Sequence, residues 1–294
     1  MDVKNAFLQG ELEEEVYMNP PPGLESSIPQ GKVFKLRKAI YGLKQSPRAW
    51  YHKLSFTLTA KGFRRSEADH TLFTSQSAQG IIVVLVYVDD LIISGNDQAG
   101  IQETKHFLKS VFDIKDLGEL KYFLGIEICR SPEGLFISQR KYSLDLFTET
   151  GKLGSKTAKT PLEDSYKVRR KGEKGQEDPL DRPFEDPAHL KLTNELVWLK
   201  ALLKDLGIES TSPITMHCDN QAAIHIATNS VFHQRTKHIE VDCHKVREKI
   251  VEGVILPCYT RSEDQLADIF TKATSLKICN HIYSKLGLVD LTHP

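Results

Sequence analysis

Two adjacent aspartates, Asp89 and Asp90, follow a strongly apolar stretch of the sequence, residues 81–86. A carboxylate beside a hydrophobic core costs free energy unless a cation or a hydrogen-bond donor meets it. A turn containing aspartate would explain one of the two residues, since aspartate is favoured at hairpin tips, but it would not explain the apolar surroundings. A divalent-metal site explains both, because Mg²⁺ prefers carboxylate oxygens and keeps water and substrate phosphates as its other ligands.

Phosphoryl transfer assisted by two metal ions ~4 Å apart needs at least one further carboxylate from elsewhere in the chain. Asp2 is the natural candidate, because it stands at the head of a short apolar segment of its own, residues 3–8. We therefore expect Asp2 to join Asp89 and Asp90 in one site.

Residues 26–66 carry an unbalanced positive charge, although the formal net charge of the whole chain is zero. Within this segment aromatic residues are interleaved with ten lysines and arginines, and there is no aspartate or glutamate. Such a pattern is typical of a track for a phosphate backbone. A solvated basic face is the alternative, and the lack of any acid in the segment favours nucleic acid. The basic residues are Lys32, Lys35, Arg37, Lys38, Lys44, Arg48, Lys53, Lys61, Arg64 and Arg65.

The composition is that of a globular protein with a buried core. Of the 294 residues, 40% are hydrophobic and 27% are charged, and the length suggests roughly two domains. The longest apolar run, residues 81–88, is far shorter than the ~20 residues of a membrane span, so no membrane partner is expected. Five scattered cysteines without a C-x-x-C pair argue against a disulfide framework or a zinc ribbon. Nothing in the sequence indicates an oligomeric state or a cellular location.

The elements that position the candidate residues follow from hydrophobic periodicity and turn residues. Residues 81–87 and 91–93 predict a β-hairpin with both aspartates at its tip, and residues 122–128 and 135–138 predict a second hairpin. Apolar residues at helical spacing predict helices over residues 50–61 and 100–112. The paired aspartates are therefore expected at a hairpin tip.

A change of composition divides the chain into two halves. Charged residues, proline and glycine dominate residues 151–186, so we expect a charged linker there, assigned to residues 162–189 and disordered. A leucine-rich helix follows and stops at Gly207. The elements predicted after the linker are this helix (193–206), a strand (214–217), a helix (221–227), a strand (254–256) and a last helix (263–271).

Four motifs of the first half, in this order and at this spacing, resemble the reverse transcriptase of copia-type LTR retrotransposons. A lone Tyr-Val-Asp-Asp is a weak signal, whereas four motifs in register over residues 1–161 are a specific one. The resemblance implies an α+β fold with the palm and thumb of a reverse transcriptase, and RNA-directed DNA polymerase activity. The motifs are MDVKNAFL (1–8), YGLKQSPRAW (41–50), YVDD (87–90) and LGELKYFLG (117–125).

The resemblance also implies roles by position. Asp2 and Asp89 would hold two Mg²⁺ ions, with Asp90 beside them as a weaker contributor. Phe7 would lie under the incoming sugar and block a ribose 2′-OH, with simple core packing as the alternative, and residues 122–128 would form the primer grip. The implied partners are an RNA or DNA template-primer and deoxynucleotides. The side chains expected along template and nucleotide are Lys44, Gln45, Ser46, Pro47, Arg48 and Tyr87.

The second half, residues 190–294, resembles part of the RNase H-like α/β domain that follows the polymerase in these elements. The resemblance implies that Asp219 and Asp268 are metal-binding carboxylates of the nuclease. A zinc site around His238 is a weaker alternative, because no second Cys or His pair has ligand spacing. Surface or hybrid-contacting histidines are the preferred interpretation. The histidines that also match the family are His233, His238 and His244.

Two departures from the family pattern bear on activity. The family has a fingers subdomain before its first carboxylate motif, whereas here that motif opens the sequence, so we expect fingers to be missing and Asp2 to lie at a frayed end. Catalysis needs ligands held to within ~0.5 Å. The family also has a connection region and the first RNase H strands where this chain has only the linker. The first nuclease aspartate is then missing. Glu185 lies near the position of the glutamate that the family has on its next helix, but its surroundings do not resemble that motif and Pro187 opposes a helix there.

We therefore expect a polymerase fragment impaired in nucleotidyl transfer and without RNase H activity. The rival hypothesis is a nucleic-acid-binding module, or a remnant of the element, that keeps the basic track and has lost the chemistry.

Overall fold

The computed structural model describes residues 1–24, 29, 31–156, 158–161, 188–229 and 237–287. The chain divides into two compact units, Met1–Leu146 with Ala201–Glu209 and Phe147–Lys200 with Ser210–Pro294. Among the described helices, none combines the length and the apolar character needed to cross a membrane. The expected linker, residues 162–189, lies outside the described residues except for the first two residues of a helix. The disorder of the linker and the domain boundaries therefore stay predictions.

The first unit combines antiparallel sheets with helices, as the α+β expectation requires. Its elements in chain order are β1 (Asp2–Val3), α1 (Ala6–Gln9), β2 (Glu11–Met18), β3 (Phe34–Lys38), α2 (Ser46–Ala60), β4 (Arg64–Arg65), β5 (Leu72–Ser77), β6 (Gly80–Tyr87), β7 (Asp90–Gly95), α3 (Gln98–Val111), β8 (Ile114–Lys115), β9 (Tyr122–Phe123), β10 (Ile126–Ser131), β11 (Gly134–Ser138) and α4 (Arg140–Glu149).

The main sheet has six antiparallel strands in the order β4-β5-β6-β7-β1-β8. Alternate residues of β6 are buried, so one face of the sheet forms the core while the other is more open. Helices α2 and α3 cover the buried face. The side chains that join strands and helices in this core include Val3, Val84, Val86, Leu91, Trp50, Leu54, Leu58, Ile101 and Leu108.

The hairpin and the two helices predicted around the paired aspartates are confirmed. Helix α2 begins at Ser46, earlier than the predicted residue 50, because Pro47 in the first turn supplies a backbone angle that suits a helix start. Helix α3 begins after Asp97, whose carboxylate accepts a hydrogen bond of 2.8 Å from the backbone N–H of Gly100.

The segment predicted as a single strand over residues 122–128 is two strands, so that part of the prediction is wrong. Leu124 and Gly125 have φ of 48° and 84° and form a tight turn between β9 and β10. Strand β10 pairs with β11 as predicted, and the three strands form a sheet in the order β11-β10-β9. The separate β2–β3 ribbon was not predicted, because the glutamates of β2 hide the alternation of a strand.

The second unit is a small α/β arrangement. Strands β12 and β13 are parallel and are joined through α6 and α7, since parallel strands need a crossover connection. Met216, Ala227, Val246 and Ile255 form one buried cluster, and α8 and α9 contribute a second. Its elements are α5 (Ala188–Asp205, which ends in the first unit), β12 (Ile214–Cys218), α6 (Gln221–Thr228), α7 (Lys237–Val251), β13 (Ile255–Tyr259), a 3₁₀ turn (Ser262–Asp264), α8 (Asp268–Thr271) and α9 (Leu276–Lys285).

The predictions for this unit are confirmed for α5, β12, α6 and β13 and wrong at its end. The helix expected over residues 263–271 is a 3₁₀ turn and the short α8, because the chain becomes extended at Gln265 (φ −74°, ψ 102°). Helices α7 and α9 were not predicted.

Candidate active site

The β6–β7 hairpin closes through a two-residue turn, Val88 and Asp89, because Tyr87 pairs with Asp90. Val88 has φ 54°, a region that a β-branched residue rarely adopts. Such a conformation costs on the order of 1–3 kcal/mol, which the surrounding structure must offset. Trp50 of α2 contributes to this, since its indole Nε1 donates a hydrogen bond of 2.7 Å to the carbonyl oxygen of Val88.

Trp50 is itself held firmly. Its side chain is 2% exposed and meets the ring of Phe112 edge-on, with centroids 5.2 Å apart. Gly10 lies against the same helix, where a Cβ on Gly10 would come within 2.8 Å of the Trp50 backbone nitrogen. The absence of a side chain at Gly10 therefore lets the end of α1 pack closely on α2, beside the residue that holds the turn.

Asp2 lies inside the sheet, and the expectation of a frayed end is wrong. Its strand β1 is paired on both sides, with Asp2 opposite Asp90 of β7 and Lys115 of β8. Leu91 donates a backbone hydrogen bond of 2.8 Å to the carbonyl oxygen of Met1, and Val3 donates one of 2.8 Å to that of Asp89. The backbone of Asp2 is thus fixed between two strands.

Four polar residues form a row across the open face of the sheet. Residues directly opposite each other in antiparallel strands project from the same face. Because each member of the row opposes the next, all four side chains leave the same face, away from the buried Val3 and Leu91. The row consists of Tyr87, Asp90, Asp2 and Lys115, on β6, β7, β1 and β8. Sequence reasoning missed Lys115, because no local pattern shows which residue pairs with Asp2.

The carboxylates of this site disfavour one another's ionisation. Partial burial raises the pKa of Asp90 above 3.8, and the charges of Asp89 and Asp2 raise it further, while the terminal ammonium of Met1 opposes the rise. Burial lowers the pKa of that ammonium in turn. Asp89, at the turn, is exposed. A concentration of negative charge on an open face favours the binding of cations.

The donor chemistry of the site fits Mg²⁺, because three carboxylates supply hard oxygen ligands beside an exposed turn. Asp2, Asp89 and Asp90 are adjacent through the pairing of their strands. Across the described residues, no three His, Cys, Asp or Glu side chains are already gathered closely enough to hold a metal ion. The structure therefore brings the backbones of the three acids together, and their side chains would have to converge further on a cation.

Phe7 lies close to the site on α1. Asn5, with φ 48°, turns the chain sharply after β1, so that α1 follows at once. The ring of Phe7 is half-buried against the core and lies 4.9 Å from that of Tyr41, between centroids. Tyr41 belongs to the motif that leads into α2, so two of the four sequence motifs are in contact here.

The residues predicted to lie along the template differ in exposure. Ser46 is 1% exposed, and its hydroxyl donates a hydrogen bond of 2.5 Å to the carbonyl oxygen of Ile40, so Ser46 shapes the loop before α2. Gln45 is partly exposed. The exposed members of the set, which are free to meet a ligand, are Lys44, Pro47, Arg48 and Tyr87.

The basic segment, residues 26–66, carries less unpaired positive charge in the fold than its sequence alone suggests. Four of its ten cations form ion pairs with acids from other parts of the chain, two of them on β2, which pairs with the segment. Exposed Lys44 and Arg48, at the start of α2, have no ion-pair partner in the described part of the chain. The pairs are Lys35 with Glu15, Lys53 with Glu11, Lys61 with Glu103 and Arg64 with Asp205.

In the second unit the structure brings Asp219 and Asp268 together. Asp219 follows β12 and Asp268 begins α8, and both contact the ammonium of Lys272. Of the matching histidines, His233 lies outside the described residues, as does the side chain of His238. Cys243, beside His244 on α7, is buried.

Comparison with known proteins agrees with these features. The family model of the reverse transcriptase (RNA-dependent DNA polymerase) matches residues 1–164. The retrovirus-related Pol polyprotein from transposon RE2 of Arabidopsis thaliana is 32% identical over 99% of this chain, and that from transposon TNT 1-94 of Nicotiana tabacum is 26% identical over 92%. A putative transposon Ty5-1 protein of Saccharomyces cerevisiae is 34% identical over 55% of the chain and 53% of its own length.

The chain spans less than a third of the length of the two plant relatives, 28% and 29%. No solved structure matches. The family match covers every residue of the carboxylate site, and the plant relatives extend the similarity through the second unit. The chain belongs to the reverse transcriptase family, among the Pol polyproteins of copia-type retrotransposons.

Proposed function

We propose that this chain is an RNA-directed DNA polymerase, which joins deoxynucleotides to a primer on an RNA or DNA template. The observation that carries the proposal is the position of Asp2 directly opposite Asp90, beside the Asp89 turn. In a member of the reverse transcriptase family, three acids assembled on an open sheet face are suited to nucleotidyl transfer.

The proposal assigns family subdomains to the fold. The six-stranded sheet with α2 and α3 would be the palm, and the β9–β11 sheet with α4 would be the primer grip and thumb. The second unit would be the later part of an RNase H-like domain. The proposed boundaries remain residues 1–161, a charged linker over 162–189 and residues 190–294.

Asp2 and Asp89 would hold two Mg²⁺ ions, with Asp90 contributing beside them. When bound, Mg²⁺ would activate the primer 3′-OH and neutralise charge on the phosphates. The primer 3′-OH would lose its proton to water as its oxygen forms a bond to the α-phosphorus, the bond from the α-phosphorus to the bridging oxygen would break, and pyrophosphate would leave. The part of the protein is to fix the acids, through the two-sided pairing of β1 and the bond from Trp50 to the turn.

Residues near the three acids would bind the incoming nucleotide and the template. Phe7 would lie under the sugar of the incoming nucleotide and exclude a 2′-OH. Lys44 and Arg48 would contact phosphates of the template backbone, without reading its sequence. Gln45, Pro47 and Tyr87 would border the template and the nascent base pair.

The test is primer extension on an RNA template with Mg²⁺, comparing the wild type with Asp89→Asn. The proposal expects incorporation by the wild type and its near-complete loss in the variant. Equal and negligible incorporation by both proteins would refute polymerase activity.

A second candidate is a nucleic-acid-binding module without chemistry. It is favoured by one observation, that the three acids are not gathered into a preformed metal cluster in the described residues. It predicts salt-sensitive binding of template-primer that responds neither to Mg²⁺ nor to Asp89→Asn.

We propose no RNase H activity for the second unit. The match to the RE2 relative runs over 400 residues, against 294 in this chain, so at least 106 matched positions have no counterpart here. This total is large enough to include the connection region and the first nuclease strands, with the aspartate they carry, whose loss the sequence predicts. Incubation of a labelled RNA–DNA hybrid with Mn²⁺ tests the proposal, and specific cleavage of the RNA strand would contradict it.

A further inference from the structure

Asp219 and Asp268, the two acids expected to bind a metal in the second unit, share a cation that belongs to the chain. The ammonium Nζ of Lys272 lies 3.0 Å from Oδ1 of Asp268 and 3.7 Å from Oδ2 of Asp219. The hydroxyl of Ser262 donates a hydrogen bond of 3.2 Å to the same Asp219 oxygen. Both acids therefore already have donors around them.

The fold fixes this arrangement at the carboxyl ends of two parallel strands. Because Cys218 is in register with Tyr259, the segments that follow β12 and β13 leave the same edge of the sheet. Thr260 donates a backbone hydrogen bond of 2.9 Å to Cys218, and the side chain of Gln265 donates one of 3.2 Å to the carbonyl oxygen of His217. These bonds hold the segment that carries Ser262 and leads to Asp268 against the segment that carries Asp219.

The acids are sheltered while the lysine reaches them from solvent. The side chains of Asp268 and Asp219 are 14% and 28% exposed, and that of Lys272 is 55% exposed. Sheltered carboxylates that face each other repel unless a cation lies between them. A pair of divalent ions at this place would need further carboxylates, and the described residues contain no group of three potential ligands. The donor set therefore does not fit a two-metal nuclease site.

We propose that Lys272 takes the place of a divalent cation between Asp219 and Asp268, so that the negative charge of these two acids is balanced without a metal ion. The ammonium neutralises the pair, and Ser262 satisfies an acceptor that a metal would otherwise use. Every residue involved belongs to the second unit, so this proposal is independent of polymerase activity in the first.

If Lys272 substitutes for a metal, its removal should create a metal site. The test counts bound Mn²⁺ by electron paramagnetic resonance in the full chain carrying Asp89→Asn, which suppresses the first-unit site. Lys272→Met should gain one Mn²⁺ per chain relative to this background, and adding Asp219→Asn should abolish the gain. Lys277→Met, which removes an exposed lysine of α9, is the matched control and should gain none.

Two outcomes of this experiment would overturn the proposal. One is a background protein that already binds Mn²⁺ in a manner sensitive to Asp219→Asn, and the other is a Lys272→Met variant that gains no Mn²⁺.

A double-mutant cycle tests the proposal without metal. In EDTA, Lys272→Met and Asp268→Asn should each lower the urea midpoint of the second unit, and together they should lower it by clearly less than the sum. A simple additive loss would show that the lysine and the acid act separately and would contradict the proposal. A Lys272→Met variant that fails to fold unless Asp268→Asn is also present counts as strong coupling and supports it.

Discussion

The indole N–H of Trp50 donates a hydrogen bond of 2.7 Å to the carbonyl oxygen of Val88. This bond links a buried residue of α2 to the turn that contains Asp89. The turn holds a β-branched residue at φ 54°, which the sequence of the turn alone would not favour. Tertiary contact therefore fixes a local conformation at the point where the candidate chemistry lies.

Replacement of Trp50 by phenylalanine should weaken both stability and activity. The variant keeps an aromatic ring against Phe112 but removes the donor to the Val88 carbonyl, and the loss of such a hydrogen bond costs about 0.5–1.5 kcal/mol. Urea unfolding measures the stability and primer extension the activity. Tyr51→Phe is the matched control, because it removes a hydrogen bond to the carbonyl oxygen of His70, away from the turn. A Trp50→Phe variant whose polymerase activity falls no more than that of the control would show that the bond does not position the turn.

Replacement of Val88 by asparagine should stabilise the protein. Asparagine tolerates a positive φ far better than a β-branched residue, so a gain of about 1 kcal/mol in the free energy of unfolding is expected. The measurement is urea unfolding of Val88→Asn and Val88→Ala, with the order Asn above Ala. A loss of stability in the asparagine variant would mean that contacts of the valine side chain outweigh backbone strain.

The burial of Asp90 and its two acidic neighbours should make the stability of the protein depend on pH. Its pKa is raised above 3.8 by burial and by the charges of Asp89 and Asp2, so above that pH the folded chain binds more protons than the unfolded chain. The contribution of Asp90 to the free energy of unfolding therefore falls as pH rises from about 4 towards neutrality. In EDTA, Asp90→Asn should be more stable than the wild type at neutral pH, by a margin that closes as pH falls to about 4.

Urea titrations across this range check the difference, with Asp113→Asn as control. Asp113 is exposed and pairs with Lys4 on the same edge of the sheet, so its replacement should not reproduce the trend. Added Mg²⁺ should stabilise the wild type and have little effect on an Asp2→Asn variant. If the difference in stability between Asp90→Asn and the wild type does not change with pH, the pKa of Asp90 is not raised in the folded protein.

The two exposed cations at the start of α2 should set the salt dependence of template-primer binding. Replacing Lys44 and Arg48 together by glutamine should reduce the slope of log K against log salt by about 2, since each phosphate contact contributes about 0.9. Fluorescence anisotropy over a salt series provides the slope. Lys35→Gln is the matched control, because Lys35 is already paired with Glu15 and should change the slope little. Equal effects in the two proteins would remove the reason for assigning the template to α2.

Local patterns predicted much of the fold but not the relations that make the site. The run of β-branched and aliphatic residues over 81–87 predicted the hairpin, and the structure places Asp89 in its turn and Asp90 at the start of β7. The pairing of Asp2 with Asp90 and Lys115 depends on β1, a two-residue strand whose place between β7 and β8 comes from tertiary contacts. No periodicity can be read from two residues.

The positive charge of residues 26–66 is also partly neutralised by acids that lie elsewhere in the sequence. Residues 26–66 contain no acid, yet Glu11 and Glu15 of β2 pair with lysines of this segment in the fold. Similarly, Asp219 and Asp268 were expected to attract a metal, while Lys272, four residues after Asp268, was passed over. The approach of Lys272 to Asp219, 53 residues away in sequence, is visible only once the chain is folded.

One measurement shows whether the three acids act together: the rate of deoxynucleotide incorporation on an RNA template as a function of Mg²⁺ concentration. It compares the wild type with Asp2→Asn and Asp113→Asn. If Asp2, Asp89 and Asp90 form one metal-dependent site, Asp2→Asn should lower the rate at least ~100-fold, the scale on which loss of a transition-state electrostatic contact acts. Asp113→Asn should keep the wild-type rate and the same dependence on Mg²⁺. Equal rates for Asp2→Asn and the wild type, or a wild-type rate no higher than that of Asp89→Asn, would contradict the claim.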